Sequence, residues 1–261
     1  MPTNLALTMP NDTPGGHPAL KEAVIISMLG GPGSGKGTQC QMLSERFDFA
    51  HISIGDVLRQ EIERPGSQYA DILRENIMAG RIGAKEMTVS ILRDELLRIV
   101  AQGTRCFVLD GMFPILRVSK SGPNLKANFT VPSGFPRSKV PCDYFEQLVG
   151  PIALLIVLDC PESTMMARLA VADRNRSDDN TTSIKKRIEV FQKTTSEVID
   201  DFRGRNKLRT VNSDQDPEVV VLELEAILSG LVPKRIGASL DSRDSVAVVA
   251  LPSLHPCQVP G

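Results

Sequence analysis

The stretch Gly30-Gly31-Pro32-Gly33-Ser34-Gly35-Lys36-Gly37-Thr38 decides the fold of this chain. Its glycines allow the backbone to curl so that successive N–H groups point at phosphate oxygens. An apolar run from 23 to 29 precedes it and helical periodicity from about 35 to 47 follows it, so a buried strand leads into a loop at the positive end of a helix. The residues predicted to bind a nucleoside triphosphate such as ATP are Gly31, Pro32, Gly33, Ser34, Gly35, Lys36, Gly37 and Thr38.

The residues at the end of this loop add charge and a hydroxyl group. Lys36 supplies an ammonium for the β- and γ-phosphates, and a nearby hydroxyl serves Mg²⁺ directly or through water. The position after the lysine, where Ser or Thr is usual, holds Gly37, and Thr38 follows one place later. This departure from the usual pattern narrows the choice of family below.

The rest of the chain predicts an α/β, three-layer P-loop fold with a central parallel sheet. Apolar runs at 106–109 and 152–158 are each followed by helical periodicity, and 207–211 predicts a last strand. Residues 54–101 are mostly helical in pattern, with turns near 65–66 and 80–83. Two further helices are predicted at 181–202 and 217–228.

The charge balance of the chain points to a small-molecule site. The formal net charge of -1 gives no general attraction to nucleic acid or to a membrane surface. No apolar run reaches the roughly 18 to 20 residues that span a bilayer, and the N-terminus lacks the pattern of a signal peptide. The cysteines are odd in number and form no CxxC pair, so we expect reduced thiols, no disulfide or zinc framework, and a cytoplasmic protein, with the nucleus possible. They are Cys40, Cys106, Cys142, Cys160 and Cys257.

Several ordered motifs resemble those of the nucleoside monophosphate kinases. Gly30 to Gln39 is similar to the phosphate loop of adenylate and UMP-CMP kinases, in which the Gly-Thr variation also occurs. The resemblance continues through 51–59, 107–111 and 176–180, with Arg187 eleven residues after Arg176. It implies transfer of the γ-phosphate of ATP to a nucleoside monophosphate, with Mg²⁺, in a monomeric enzyme.

The resemblance also implies an arrangement of domains. The kinase domain is expected at 22–231, with a helical monophosphate-binding insert at about 52–82 and a short lid at about 170–180. A loose leader is expected at 1–21 and a disordered tail at 232–261, because neither has a clear apolar period.

The same resemblance assigns roles to individual residues. Fixed cations stabilise the charge that spreads over a transferring phosphoryl group, and arginine forks suit this task. The predicted catalytic residues are Lys36, Arg137, Arg168, Arg176 and Arg187. The predicted monophosphate-binding residues are Ser53, Arg59, Ile82, Gly134, Arg137, Arg176 and Arg187. Asp110 and Asp178 are predicted to hold Mg²⁺ through its waters, although Asp178 and Asp179 also fit a helix N-cap, and each arginine also fits a solvated helix face.

The identity of the acceptor is less sharply indicated. Adenylate kinases usually place Thr, and UMP-CMP kinases Ala, where this chain has Ile54, and Pro141 stands where the family reads the base with Gln or Asn. The amino-acid sequences at 176–180 and 158–162 resemble UMP-CMP kinases more than adenylate kinases, so we slightly favour UMP and CMP over AMP as the acceptor. A nucleotide-binding protein with little transfer activity and a simple ATPase are the competing functions.

Residues 112–134 interrupt a motif of the family. Asp-Gly-Phe-Pro-Arg occurs here as Asp110-Gly111 and then Gly134-Phe135-Pro136-Arg137, and removing Met112 to Gly134 rejoins it in frame. Reverse translation of the amino-acid sequence permits a splice donor at 111–113, a branch point at 127–128 and an acceptor at 133–134, all of fungal type. We therefore predict a retained intron of 69 nucleotides, three for each residue; a genuine surface insertion is the alternative.

Overall fold

A computed structural model describes residues 16–78, 85–110, 139–171 and 181–232. Within them, five parallel strands form one sheet in the order β2-β3-β1-β4-β5. The strands are β1 (Val24–Gly30), β2 (Phe49–Ser53), β3 (Cys106–Asp110), β4 (Ile152–Asp159) and β5 (Leu208–Asn212). Parallel strands need crossover connections, and the described crossovers carry helices, so the predicted α/β class is confirmed.

Helices cover both faces of the sheet. They are a 3-10 helix (Pro18–Leu20), α1 (Lys36–Arg46), α2 (Ile54–Glu63), α3 (Ala70–Met78), α4 (Lys85–Val100), α5 (Lys139–Leu148), α6 (Glu162–Val171), α7 (Thr181–Gly204) and α8 (Pro217–Leu228). The predicted helices at 35–47, 181–202 and 217–228 are confirmed, as is the helical character of 54–101 in its described part. None of the helices in the described ranges is both long and apolar enough to cross a bilayer.

The central strand β1 explains the three layers. Its side chains alternate, so Ile25 and Leu29 enter the core beneath α2, α4, α5 and α7, whereas Ile26 and Met28 enter the core beneath α1 and α8. All four are almost fully buried, because a parallel sheet covered by helices has no face in water. This explains why the run is apolar on both faces instead of alternating, with the buried Ser27 as its one polar residue.

The edge strand β2 was not predicted. Among the described strands it pairs with β3 alone, from Phe49 opposite Cys106 to Ser53 opposite Asp110. Its apolar residues Phe49 and Ile52 are separated by Ala50 and His51, so the run is too short and too mixed to stand out from the adjacent helical pattern. Pairing with β3 is a long-range contact that local periodicity does not reveal.

The predicted loose leader is wrong for its last residues. The 3-10 helix Pro18–Leu20 precedes β1, and Leu20 is 1% exposed within the core that contains Phe145 and Ile152. Gly16 N–H also donates to the carbonyl of Gln147 at 3.1 Å. One buried leucine and a few backbone hydrogen bonds order this segment, and a single apolar residue gives no periodic signal.

Candidate active site

Several of the predicted site residues that the structure describes lie at the carboxyl edge of the sheet. The phosphate loop follows β1, Ser53 ends β2 and Asp110 ends β3, while the turn after β5 begins at Ser213. Strand β1 has β3 on one side and β4 on the other, so the chain changes direction in the sheet at this point. Ligands of open α/β sheets bind at such an edge.

Two glycines of the phosphate loop have left-handed backbone angles, but only one of them is also closely packed against a helix. Gly33 and Gly35 have φ angles of 84° and 91°, a region that favours glycine. A β-carbon at Gly33 would also lie 2.6 Å from the carbonyl oxygen of Met165 and 3.0 Å from Leu169 Cγ, both on α6. At Gly35 the nearest such atom is 4.0 Å away, on Arg168. Gly33 therefore allows α6 to pack against the loop, whereas Gly35 turns the chain into α1.

Lys36 lies over the phosphate loop with its side chain folded back. Its ammonium donates to the carbonyls of Gly30 at 2.6 Å and Gly31 at 3.0 Å, and lies 3.5 Å from Ser34 Oγ. The residue is 6% exposed. The cation is thus held at the loop that was predicted to bind phosphate, where it adds to the positive end of α1.

A cavity of about 190 Å³ opens beside the start of α1. It is lined by Ser34, Gly35, Thr38, Gln39, Arg168, Ser213, Gln215, Pro217 and Val220. The last four lie on the turn after β5 and on α8, and neither they nor Gln39 were among the predicted site residues. The buried Gln39 amide donates to the Pro217 carbonyl at 3.0 Å and ties that turn to α1. The position of the turn after the carboxyl end of a strand was the available signal.

Arg168 is drawn to the same loop from α6. Its guanidinium donates to the Gln215 carbonyl at 3.3 Å and to Cys160 Sγ at 3.9 Å, and it lies close to Gly35. The side chain therefore spans from α6 to the turn after β5 across the cavity. The structure brings this predicted arginine together with the phosphate loop.

The predicted monophosphate residues Ser53 and Arg59 lie at the start of α2. The Arg59 guanidinium pairs with Asp56 one turn earlier and lies over Gly55. Burial alone would raise the pKa of Asp56, but hydrogen bonds from Ser53 and Arg59 outweigh it and hold the pKa below its usual value. Asp56 thereby keeps its charge and holds the Arg59 guanidinium over Gly55 in the first turn of α2.

Asp110 approaches the phosphate loop from β3. Its carboxylate oxygen Oδ2 lies 3.8 Å from the place where a β-carbon of Gly37 would be, and 3.6 Å from His51 Nε2. A side chain at position 37 would therefore be in contact with this carboxylate. The carboxylate thus lies within van der Waals range of position 37, at the beginning of α1 and next to Thr38.

Several predicted site residues lie outside the described residues. These are Ile82, Gly134, Arg137, Arg176 and Asp178, together with the predicted lid and the 112–134 segment. Arg187 belongs to α7, but the structure describes only its backbone. Their roles remain predictions.

Comparisons with known proteins agree with this geometry. A family model described as an AAA domain matches residues 29–185, which include the phosphate loop, Arg59, Asp110 and Arg168. Uridylate kinase of Schizosaccharomyces pombe is 37% identical over 199 residues, covering 75% of this chain and 92% of the relative. The chain belongs to the nucleoside monophosphate kinase family. Two further relatives of this kinase are uridylate kinase of Saccharomyces cerevisiae, 34% identical over 77% of this chain and 88% of the relative, and UMP-CMP kinase of Prunus armeniaca, 34% identical over 75% and 74%.

This nucleoside monophosphate kinase is thus a phosphotransferase that uses ATP. The prediction of the family from the phosphate loop and its partner motifs is confirmed. The competing function of a nucleotide-binding protein with little transfer activity is not favoured.

Proposed function

We propose that this kinase transfers the γ-phosphate of ATP to UMP or CMP in preference to AMP. The observation that carries the proposal is the similarity to relatives named uridylate kinase and UMP-CMP kinase over three quarters of the chain. Ile54 does not argue for either acceptor, because its side chain is 1% exposed and belongs to the core. Selectivity for the base therefore has to come from residues other than Ile54.

On the donor side, we assign the phosphates of ATP to the loop from Gly31 to Thr38. Backbone N–H groups at the start of α1 are available there, because the N-cap Gly35 has no side chain to accept from them. The adjacent cavity continues from Thr38 to Gln215 and supports a place for the nucleoside part of ATP. Arg168 on its wall presents a planar cation that suits either a base or a phosphate.

On the acceptor side, we assign the monophosphate to Arg59, with Ser53 and Asp56 as positioning residues. The Asp56 carboxylate aligns the guanidinium fork, and a fork binds phosphate in two parallel hydrogen bonds. The acceptor is already an anionic phosphate oxygen, so no general base is required. The role of the protein is to hold donor and acceptor in line and to stabilise spreading negative charge.

Asp110 and Thr38 fit the requirements of a hydrated Mg²⁺ ion. Both offer hard oxygen ligands, and the Asp110 side chain is 15% exposed, which leaves a path for water. When bound, Mg²⁺ would neutralise charge on the β- and γ-phosphates. The predicted contribution of Asp178 remains a proposal, because that residue lies outside the described ranges.

We also propose a monomer in a reducing compartment, the cytoplasm or the nucleus. Cys40, Cys106, Cys142 and Cys160 carry free thiols, which supports the reducing compartment. Light scattering coupled to size-exclusion chromatography tests the monomer, and a dimer at micromolar concentration would contradict it.

The acceptor proposal is tested with a panel of monophosphates. ADP formation from ATP is measured with UMP, CMP, dCMP, AMP and GMP, and without acceptor. We expect kcat/KM to be highest for UMP and CMP. A strict preference for AMP would contradict the proposal, whereas ADP release that does not depend on acceptor would indicate an ATPase.

A further inference from the structure

Three potential metal ligands converge beside the phosphate loop. Cys40 Sγ, His51 Nε2 and a carboxylate oxygen of Asp110 all lie within 4.8 Å of one another. They come from α1, β2 and β3, and their spacing in the sequence resembles no metal motif. We infer that they form a site for a soft divalent cation such as Zn²⁺, and that the ion occupying it inhibits the kinase.

The imidazole gives the first argument for this site. His51 Nε2 is buried and has no hydrogen-bond partner among the described residues, since Asp110 Oδ2 at 3.6 Å is beyond hydrogen-bond distance. A buried polar atom of this kind is costly unless another ligand satisfies it. Coordination by a metal ion would satisfy this nitrogen. The 3.6 Å between Nε2 and Asp110 Oδ2 suits two ligands of one ion.

The ligand set gives the second argument. Zn²⁺ binds thiolate, imidazole and carboxylate at roughly 2.0 to 2.3 Å, so ligand atoms around a tetrahedral ion stand about 3.2 to 3.6 Å apart. The three atoms need to close by only about 1 Å to reach that spacing. A Cys40 thiolate and the Asp110 carboxylate would together balance the two positive charges of the ion.

The Cys40 thiol makes a weak hydrogen bond that it could exchange for coordination to a metal ion. Cys40 is fully buried, and its S–H donates to the Met28 sulfur at 3.6 Å, a weak bond. Burial and the nearby Asp110 raise the pKa of this thiol, and Lys36 lowers it. Coordination to the metal replaces the thiol proton, which passes to solvent.

Occupation of this site would remove Asp110 from its proposed role. The carboxylate borders Gly37 at the start of α1, where it was assigned to hydrated Mg²⁺. Mg²⁺ is poorly suited to thiolate and imidazole ligands, whereas Zn²⁺ binds them well, so the two ions would use different ligand sets that share Asp110. Three protein ligands leave a fourth position open for water or a phosphate oxygen.

The first test measures binding alone and does not depend on the proposed function. The full-length chain, freed of metal, is titrated with Co²⁺ as a spectroscopic substitute for Zn²⁺. We expect the near-ultraviolet band of a thiolate bound to cobalt, at one ion per chain. Cys40→Ser removes the band, while Cys142→Ser, which changes another buried thiol on α5, leaves it unchanged.

The second test measures inhibition and rests on the proposed function. Zn²⁺ is titrated into the kinase assay at fixed Mg²⁺ and ATP. Substitution of a residue that only hydrogen-bonds to a metal ligand already lowers metal affinity about 10- to 100-fold. Cys40→Ser removes a ligand itself, so it should raise the inhibitory Zn²⁺ concentration about tenfold or more. The Cys142→Ser variant should be inhibited like the unmodified chain.

The outcomes separate the site from the enzyme activity. Absence of the cobalt band, or equal inhibition of the Cys40→Ser and Cys142→Ser variants by Zn²⁺, would overturn the inference. If Cys40→Ser does not fold, His51→Gln decides instead, because it keeps the thiol but should weaken Co²⁺ binding about tenfold or more. A cobalt band would uphold the site whether or not the chain is active, and absence of kinase activity also after removal of 112–134 would count against the proposed function.

Discussion

Single residues of the phosphate loop combine two physical demands. Gly33 has a left-handed backbone and also touches α6, where Met165 and Leu169 close the loop from behind. Gly66, in the turn between α2 and α3, has a similar φ of 75° but nothing within 4 Å of a potential β-carbon. The comparison of these two glycines separates backbone strain from close packing.

Substituting these glycines by alanine should give unequal losses of stability. Gly66→Ala introduces only the strain of a left-handed backbone, which should lower the free energy of unfolding by about 1 to 2 kcal/mol. Gly33→Ala adds a clash with the backbone carbonyl of Met165, which cannot move like the end of a side chain, so we expect a loss about 1 to 3 kcal/mol larger. Urea unfolding measures both, and equal losses would show that packing on α6 is unimportant.

Lys36 is expected to act on the reaction and not on folding. Lys36→Ala should lower kcat by several orders of magnitude, because it removes charge that stabilises the transition state, while little core packing is lost. The control is Lys193→Ala, on an exposed position of α7. Near-normal turnover of Lys36→Ala would refute the assignment of the phosphate loop.

Arg59 is expected to serve the acceptor more than ATP. Arg59→Ala should raise the KM for the monophosphate about tenfold or more and leave the KM for ATP nearly unchanged, because it removes a charged fork from the acceptor side. Arg74→Ala is a matched control, since Arg74 pairs with Asp71 three residues earlier on α3. Equal effects on both KM values would remove Arg59 from this role.

At the level of elements, a charged network joins α5 to α7. The Asp201 carboxylate accepts from Lys139 at 2.7 Å and pairs with Arg205 at 2.7 Å, and Arg205 also donates to Glu146 at 2.8 Å. The Lys139 ammonium in particular, aided by Arg205, lowers the pKa of Asp201 despite its partial burial. This network is well placed to stabilise the packing of the two helices at neutral pH.

Asp201→Asn should therefore weaken the protein only when the carboxylate is ionised. Its pKa is lowered on folding, so the stabilisation is present above the ordinary value of 3.8 and is lost as the pH falls below it. Solvent screening keeps the loss small, about 0.5 kcal/mol at pH 7. Urea unfolding of both forms at pH 7 and pH 3 checks this, with Asp71→Asn as an exposed control.

Most elements were predictable because their signals are local. The strand before the phosphate loop is an apolar run that only Ser27 interrupts. Helix α8 begins with Pro217 after the N-cap Asp216, whose side chain accepts from Glu218 N–H. The 3-10 helix and β2 escaped prediction, because a single buried leucine or a short mixed strand is ordered by long-range contacts.

The residues of the candidate site also fall into two groups: those with a local sequence signal and those brought together by long-range contacts. Lys36 and the glycines around it belong to one continuous motif, so the sequence alone identified them. Gln39, Ser213 and Gln215 were missed because they meet only after β5 has been placed next to β4. His51 was missed for a similar reason, since it lies on the strand that was not predicted.

For the whole molecule, we predict that the 112–134 segment has the largest effect on kinase activity, and that it lowers that activity. Twenty-eight residues separate Asp110 from Lys139, and removing Met112 to Gly134 leaves five. Strand-to-helix connections in α/β proteins usually have about 2 to 6 residues. The deletion would bring Arg137 from 27 residues to four residues after Asp110, in a fixed relation to that carboxylate.

The deletion is expected to be the active enzyme. A displacement of about 1 Å between reacting groups costs around a hundredfold in rate, so the deletion should exceed the full-length chain by that factor or more in monophosphate-dependent ADP formation. Replacing 112–134 with a Gly/Ser linker of equal length should not restore activity. Equal activity of the full-length and deleted chains, or transcripts that always retain the 69 nucleotides, would favour a genuine insertion.

The strand order also has a consequence for synthesis on the ribosome. Strand β1 is made first, yet its neighbours arrive late: Val24 pairs with Cys106, 82 residues further on, and Ile25 pairs with Ile152. At about 5 to 20 residues per second, the first neighbour emerges about 4 to 16 s after β1. The nascent chain therefore exposes an unpaired apolar segment for that interval, and we expect chaperones that bind during translation to meet this segment first.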